Sequence, residues 1–173
     1  MQTDLTKIEL LVLDVDGVLT DGKIILTPSG DEIKEFHVRD GSGMKYWQRM
    51  GKKVAIISGR GSPAVAFRAK ELAVDSFRLM AKDKLPAYQS VLDELGCTRE
   101  QTAIIGDDLP DLPLLQVCAL PIAVADAVAE VKAAAQYVTK LPGGCGAVRE
   151  AIEMMLRATG LWDKVVASVP GRG

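Results

Sequence analysis

Apolar runs alternating with helix-like segments constrain this chain more than any other feature. Strand-like runs fall at Glu9–Asp14, Lys53–Ser58, Asp75–Leu79, Thr102–Gly106 and Leu120–Val124. Helix-like segments at Gly43–Met50, Pro63–Leu72, Asp83–Leu95, Leu112–Cys118 and Ala127–Ala135 separate or follow them. Such alternation predicts parallel strands joined by crossover helices. The strands are almost unbroken Val, Ile, Leu and Ala, which suits a sheet covered on both faces; a half-wet sheet would alternate polar with apolar. A last helix, Ala147–Ala158, carries Val148, Ile152, Met155 and Leu156 on one stripe of a 3.6-residue period and is expected to pack on the core.

The expected fold is therefore α/β, a Rossmann-like parallel sheet flanked by helices. One insertion interrupts it. Lys23–Leu26 and Glu32–Val38 are extended, and Thr27-Pro28-Ser29-Gly30-Asp31 joins them, so a β-hairpin flap is expected at about residues 22–38, directly after strand 1. No segment is large enough for a cap domain, and no repeat or linker divides the chain. Residues 1–173 are expected to form a single domain whose last stretch, 160–173, is a loose tail.

Composition narrows the chemistry. With 25% charged residues and a net charge of −2, the chain lacks the basic footprint of a nucleic-acid binder. Cys97, Cys118 and Cys145 are odd in number and form no C-x-x-C, and His37 is the single histidine, which argues against zinc and for the reduced thiols of a cytoplasm. Acidic Asp4 and Glu9 precede a short apolar run, Leu10–Leu13, unlike an export signal. The longest apolar stretch, Ala119–Ala129, is broken by Asp126 and falls far short of the about 20 residues that span a bilayer. Neither nucleic acid nor membrane is expected as a partner.

The segment LLVLDVDGVLTDGKI, residues 10–24, admits two readings. Gly17 to Lys23 has the spacing G-x-x-x-x-G-K of a phosphate loop, but Ile24 stands where that loop needs a hydroxyl, and Ile24-Ile25-Leu26-Thr27 is strand-like where it needs a helix. A calcium loop fails too: counted from Asp14, Gly17 comes fourth and Ile25 stands where a bidentate Glu belongs. The pair Asp14 and Asp16 remains. Both lie at the C-terminal end of the first strand, the edge where open parallel sheets bind ligands, and residues two apart can point to one side. Later strands deliver Ser58-Gly59-Arg60, Lys84 at a helix start, and Gly106-Asp107-Asp108-Leu109-Pro110-Asp111 to the same edge.

Three or more carboxylates beside one ammonium and one hydroxyl would repel an anionic substrate without a hard cation, so Mg²⁺ is the expected cofactor. Asp14, the backbone carbonyl of Asp16, and Asp107 are expected to hold it, with Asp108 and Asp111 as outer support or as partners of Lys84. Asp14 would attack phosphorus to give an aspartyl-phosphate. Asp16 would protonate the leaving alcohol and then deprotonate water. Ser58 and Lys84 would hold the phosphoryl group.

These motifs resemble the haloacid dehalogenase superfamily of phosphatases. More narrowly, Leu13 to Gly22, Val38-Arg39-Asp40-Gly41, Ile57-Ser58-Gly59-Arg60, Gly106-Asp107-Asp108-Leu109, Val124-Ala125-Asp126-Ala127 and Gly143 to Glu150 look like the 3-deoxy-D-manno-octulosonate 8-phosphate (KDO 8-phosphate) phosphatases. The resemblance implies a capless phosphatase of lipopolysaccharide precursor synthesis, a homotetramer in which a hairpin and a neighbouring subunit close each site. It also implies that His37, Val38, Arg39, Asp40, Gly41, Lys45, Gly59, Arg60 and Arg68, together with Asp16 and Lys84, line the pocket for a phosphorylated sugar acid. Read by themselves, Lys45 and Arg68 are solvated helix charges and His37 a surface strand residue. The chain departs from the family before Lys84, where Leu79-Met80-Ala81-Lys82-Asp83 replaces the usual Gln-Gly.

Three rival readings stand beside this one. A phosphatase for a nine-carbon ulosonate 9-phosphate would share every motif. A catalytically idle assembly domain of a sugar-nucleotide enzyme would not need all of Asp14, Asp16, Ser58, Lys84 and Asp107. A receiver-type signalling module would carry its phospho-acceptor after the third strand, whereas Asp75 precedes Phe77–Leu79.

Overall fold

A computed structural model describes residues 3–168. In chain order the strands and helices are β1 (Leu10–Leu13), β2 (Ile25–Leu26), β3 (Glu32–Ile33), α1 (Val38–Arg49), β4 (Lys53–Ile57), α2 (Pro63–Glu71), β5 (Ser76–Arg78) and α3 (Lys84–Leu95). They continue with β6 (Thr102–Gly106), α4 (Leu112–Leu115), β7 (Leu120–Ala123), α5 (Ala129–Ala134), β8 (Tyr137–Val138), α6 (Ala147–Ala158) and α7 (Trp162–Ala167). The main sheet runs β5-β4-β1-β6-β7-β8, and every pairing in it is parallel. All five expected strands are present, and β8 is added at one edge. Its two residues pair with Ile122 and Ala123, too few to carry a period of their own.

β1 and β6 are buried along their whole length, which explains their continuous apolar sequence: helices cover both faces. The chain leaves β1 towards β4 on one side and leaves β6 towards β7 on the other. The gap between the C-terminal ends of β1 and β6 is therefore the topological switch point, where open α/β sheets take their ligands.

The hairpin exists but is shorter than expected. β2 and β3 form a separate antiparallel pair, Ile25 opposite Ile33 and Leu26 opposite Glu32. The expected second arm, Glu32–Val38, ends early because α1 starts at Val38 rather than at Gly43. Two glycines make that first turn look unlike a helix, yet packing overrides propensity. A Cβ on Gly43 would stand 3.3 Å from the Cα of Arg149, so the glycine lets α1 approach α6 closely.

The tail expectation also needs correction. Residues 162–167 form α7, with Val165 buried and the Leu161 N–H donating to the Leu156 carbonyl (2.8 Å). Trp162 meets Tyr46 edge-on at 6.2 Å, and the guanidinium groups of Arg149 and Arg157 lie 5.2 and 4.6 Å from its ring. Cation–π contact and burial dock this segment where sequence alone suggested a loose end. Residues 169–173, the rest of that expected tail, lie outside the described residues. No described helix is long and apolar enough to cross a membrane.

Candidate active site

The switch point collects the acids. Asp14 continues β1 by one hydrogen bond, its N–H donating to the Ile105 carbonyl (3.3 Å), so its side chain emerges between β1 and β6. Lys84 opens α3, where the helix dipole disfavours a cation. Two carboxylates offset that: Lys84 Nζ lies 2.9 Å from Asp14 Oδ1 and 2.7 Å from Asp111 Oδ1, with its side chain 4% exposed. Burial works against the ammonium, but Asp14 and Asp111 outweigh it and its pKa is raised.

Asp111 is an organiser. Its Oδ2 accepts the N–H groups of Asp107 (3.0 Å) and Asp108 (3.4 Å), and its Oδ1 holds Lys84. Gly106 makes this possible, since a Cβ there would stand 2.6 Å from the Asp111 Cβ. Asp108 turns aside and caps the short turn Leu109–Asp111, accepting the Leu109 N–H at 2.8 Å. Asp111 thus ties Lys84 to the Asp107–Asp108 main chain, and Asp108 fixes the turn that follows it.

Asp107 differs from its neighbours. Its Oδ1 is buried and has no hydrogen-bond partner. Burial, then the Asp14 and Asp111 charges, push its carboxyl up to about 8, while burial and Asp111 push Asp14 up to about 6 against the pull of Lys84. Oxygens of Asp14, Asp107 and Asp111 all lie within 4.8 Å of one another. An orphaned carboxylate oxygen among crowded acids fits a hard divalent cation. Asp111 is already spent on Lys84 and two amides, so Asp107, and Asp14 through the oxygen not paired with Lys84, are the side chains that could bind one.

Ser58 is buried at the end of β4, its Oγ accepting the Arg60 N–H at 3.3 Å. The next loop is tied to it: the Ala81 N–H donates to the Ser58 carbonyl (3.0 Å) and the Met80 N–H to that of Arg60 (3.3 Å). Met80 adopts φ 61°, a left-handed conformation disfavoured for any residue but glycine. This strained turn is the stretch that departs from the family pattern. Asp14, Asp16, Ser58, Gly59, Arg60, Lys84, Asp107, Asp108 and Asp111 all border one cleft of about 220 Å³.

The remaining pocket candidates lie elsewhere: none of His37, Val38, Arg39, Asp40, Gly41, Lys45 or Arg68 borders that cleft. His37, Asp40, Gly41 and Arg68 enclose a hole beneath Phe36, and His37 and Arg39 border a groove of about 370 Å³ against Arg149 and Glu153 of α6. Val38 is fully on the surface and Lys45 half-buried on α1. Asp40 is buried, its Oδ1 accepting the Arg149 N–H (2.7 Å) and so capping α6. Gly41 admits Arg68, whose guanidinium also pairs with Glu71 at 2.8 Å.

Two residues that contact the cleft's Asp16 and Arg60, Lys34 and Glu32, were not legible in the sequence. Lys34 Nζ bonds to Asp16 Oδ1 and lies 3.2 Å from Glu32 Oε1, while Arg60 lies 2.7 Å from Glu32 and 3.5 Å from Asp16. The available signal was their spacing: two apart on an extended arm, Glu32 and Lys34 point to the same side.

A parallel sheet that sets paired aspartates at its switch point, facing a buried lysine and a third acid, defines a haloacid dehalogenase-like hydrolase, and the family model of that description matches residues 80–152. The 3-deoxy-D-manno-octulosonate 8-phosphate phosphatase of Haemophilus influenzae is 44% identical over 160 residues, 92% of this chain and 89% of that protein. The Moraxella catarrhalis phosphatase of that name, solved with magnesium ion, phosphate ion and KDO, superposes with a TM-score of 0.91 at 39% identity, covering 95% of this chain and 94% of the other. A cobalt-bound form of the Haemophilus influenzae enzyme gives 0.88 at 44% identity, covering 90% and 91%. The chain belongs to the 3-deoxy-D-manno-octulosonate 8-phosphate phosphatase family.

Proposed function

We propose that this chain is a Mg²⁺-dependent phosphatase that hydrolyses KDO 8-phosphate to KDO and phosphate, a step in lipopolysaccharide precursor synthesis. The observation that carries it is the single cleft in which Asp14 pairs with Lys84 beside the unpartnered Asp107 oxygen, on a chain 44% identical to a phosphatase of that name. The phosphatases named above favour this reading over a nine-carbon acid or an idle assembly domain.

In the proposed reaction a carboxylate oxygen of Asp14 attacks phosphorus as the bond from phosphorus to the sugar oxygen breaks. Asp16 gives its proton to that oxygen. Water then attacks the aspartyl-phosphate, Asp16 takes the water's proton, and the bond to Asp14 breaks to free phosphate. Lys84 and Ser58 hold the phosphoryl oxygens. Asp14, Asp107 and the Asp16 carbonyl would hold Mg²⁺, which supplies charge neutralisation for an anionic substrate at an acidic site.

Assembly as a homotetramer belongs to the same proposal. Ile24, Leu26 and Ile33 of the hairpin are 57%, 62% and 49% exposed, an apolar surface suited to a second copy. The pocket candidates on α1 and α2 stand apart from the cleft, which suits a site completed by a neighbour. A cytoplasmic location accords with three free cysteines.

Phosphate release across eight- and nine-carbon ulosonate phosphates and simpler sugar phosphates tests the reading. KDO 8-phosphate should give the highest kcat/KM and EDTA should abolish turnover. A preference for another ester would overturn the substrate, and EDTA-insensitive turnover the cofactor.

A further inference from the structure

The hairpin forms no part of the main sheet, and its apolar residues face outward. Charge joins it to the cleft. Glu32 and Lys34 turn inward from the same arm, their side chains 11% and 1% exposed. Lysine is almost never so deeply covered unless paired, and here it has two acids, Asp16 and Glu32. Arg60, from the loop after β4, closes a ring of two acids and two bases by reaching both Glu32 and Asp16. The two oxygens of Asp16 thus face different cations, Oδ1 the flap's Lys34 and Oδ2 the core's Arg60. A carboxylate held at both oxygens is fixed in its plane, whereas one held at a single oxygen can swing.

We infer that Lys34 is a positioning residue: it fixes the orientation of the Asp16 carboxyl group, protonated before leaving-group departure and ionised after it, so that the proton-transfer group is correctly set only when the flap is seated. This rests on the role proposed above for Asp16. Lys34 touches the reaction only through Asp16, and it supplies a link between flap closure and chemistry that apolar contact could not provide.

The test is leaving-group dependence, measured on phenyl phosphates of similar size and graded leaving-group acidity. A p-nitrophenolate departs without a proton, and an unactivated phenolate needs one. Lys34→Met, which keeps the stem and removes the ammonium, should lower kcat on phenyl phosphate at least about tenfold more than on p-nitrophenyl phosphate, the scale of a misplaced acid–base group. Lys34→Arg should recover most of that difference. Equal losses on both esters, or no loss, would overturn the inference, because a merely structural role moves both together. If Lys34→Met does not fold, Glu32→Gln loosens the same ring and should show the same selective sense; equal losses there would overturn the inference as well. Asp16→Asn serves as the control. If it too lacks leaving-group selectivity, the role of Asp16 falls and the inference with it, whereas a selective Asp16→Asn beside a non-selective Lys34→Met removes only the inference.

Discussion

Gly17 and Asp107 touch so closely that a Cβ on Gly17 would stand 2.1 Å from Asp107 Oδ2. The glycine also takes φ +91°, so any side chain there is strained as well as obstructed. Gly17→Ala should push Asp107 out of line and weaken Mg²⁺ binding at least about tenfold, or about 1.4 kcal/mol. Titrating Mg²⁺ by calorimetry checks this, and an unchanged affinity would remove Asp107 from the metal site.

Asp14→Asn keeps the shape of the side chain and removes the nucleophilic carboxylate. Phosphate release should vanish while the far-ultraviolet circular dichroism stays native. Residual turnover near the original rate would eliminate Asp14 as the phosphoryl acceptor.

Lys84→Ala removes the donor shared by Asp14 and Asp111 and leaves two buried acids facing each other. We expect kcat/KM to fall by about a hundredfold or more, as for a lost preorganised donor. A fall of less than about tenfold would contradict its role on the phosphoryl group.

The crowded acids predict a pH dependence for the metal-free chain. Asp14 at about 6 and Asp107 at about 8 both stand above the ordinary 3.8, so folding favours their protonated forms. That contribution is complete below the ordinary value and is lost as pH rises through about 6 and then about 8. In EDTA, Tm should therefore be higher at about pH 6 than at about pH 8.5, and added Mg²⁺, which competes with protons for the same oxygens, should raise Tm more at the higher pH. Scanning fluorimetry reads both, and the opposite ordering would contradict this account of the cluster.

Asp40 lies with the α6 N-terminus rather than at the cleft. Asp40→Ala leaves the partly buried Arg149 N–H without its acceptor and should cost about 1 kcal/mol of stability. Turnover of p-nitrophenyl phosphate below Tm should hardly change. A selective loss of that turnover with Tm intact would show that Asp40 acts on the phosphoryl-transfer step itself.

Much of this architecture is legible in the amino-acid sequence. Fully covered parallel strands write themselves as continuous apolar runs, and their order carries Asp14, Ser58, Lys84 and Asp107 to one edge without further information. The rest is hidden for physical reasons. Lys34 and Glu32 look like solvated charges because their burial depends on how the hairpin meets Asp16 and Arg60. The first turn of α1 is masked by glycines whose helical state is fixed by α6, and α7 owes its place to arginines four or more residues away from Trp162. Asp40 shows another limit: its type suits binding, and only the folded chain reveals that its Oδ1 accepts the Arg149 N–H of α6.

The glycines packed around the acidic cluster have an evolutionary corollary. A methyl group on Gly143 would stand 1.7 Å from the Gly17 carbonyl oxygen, and one on Gly106 would strike Asp111. Mutation can scarcely remodel ground made of bare main chain. Drift towards other phosphate esters is thereby channelled to the rim, into the hairpin and the turn around Met80, where side chains have room to vary.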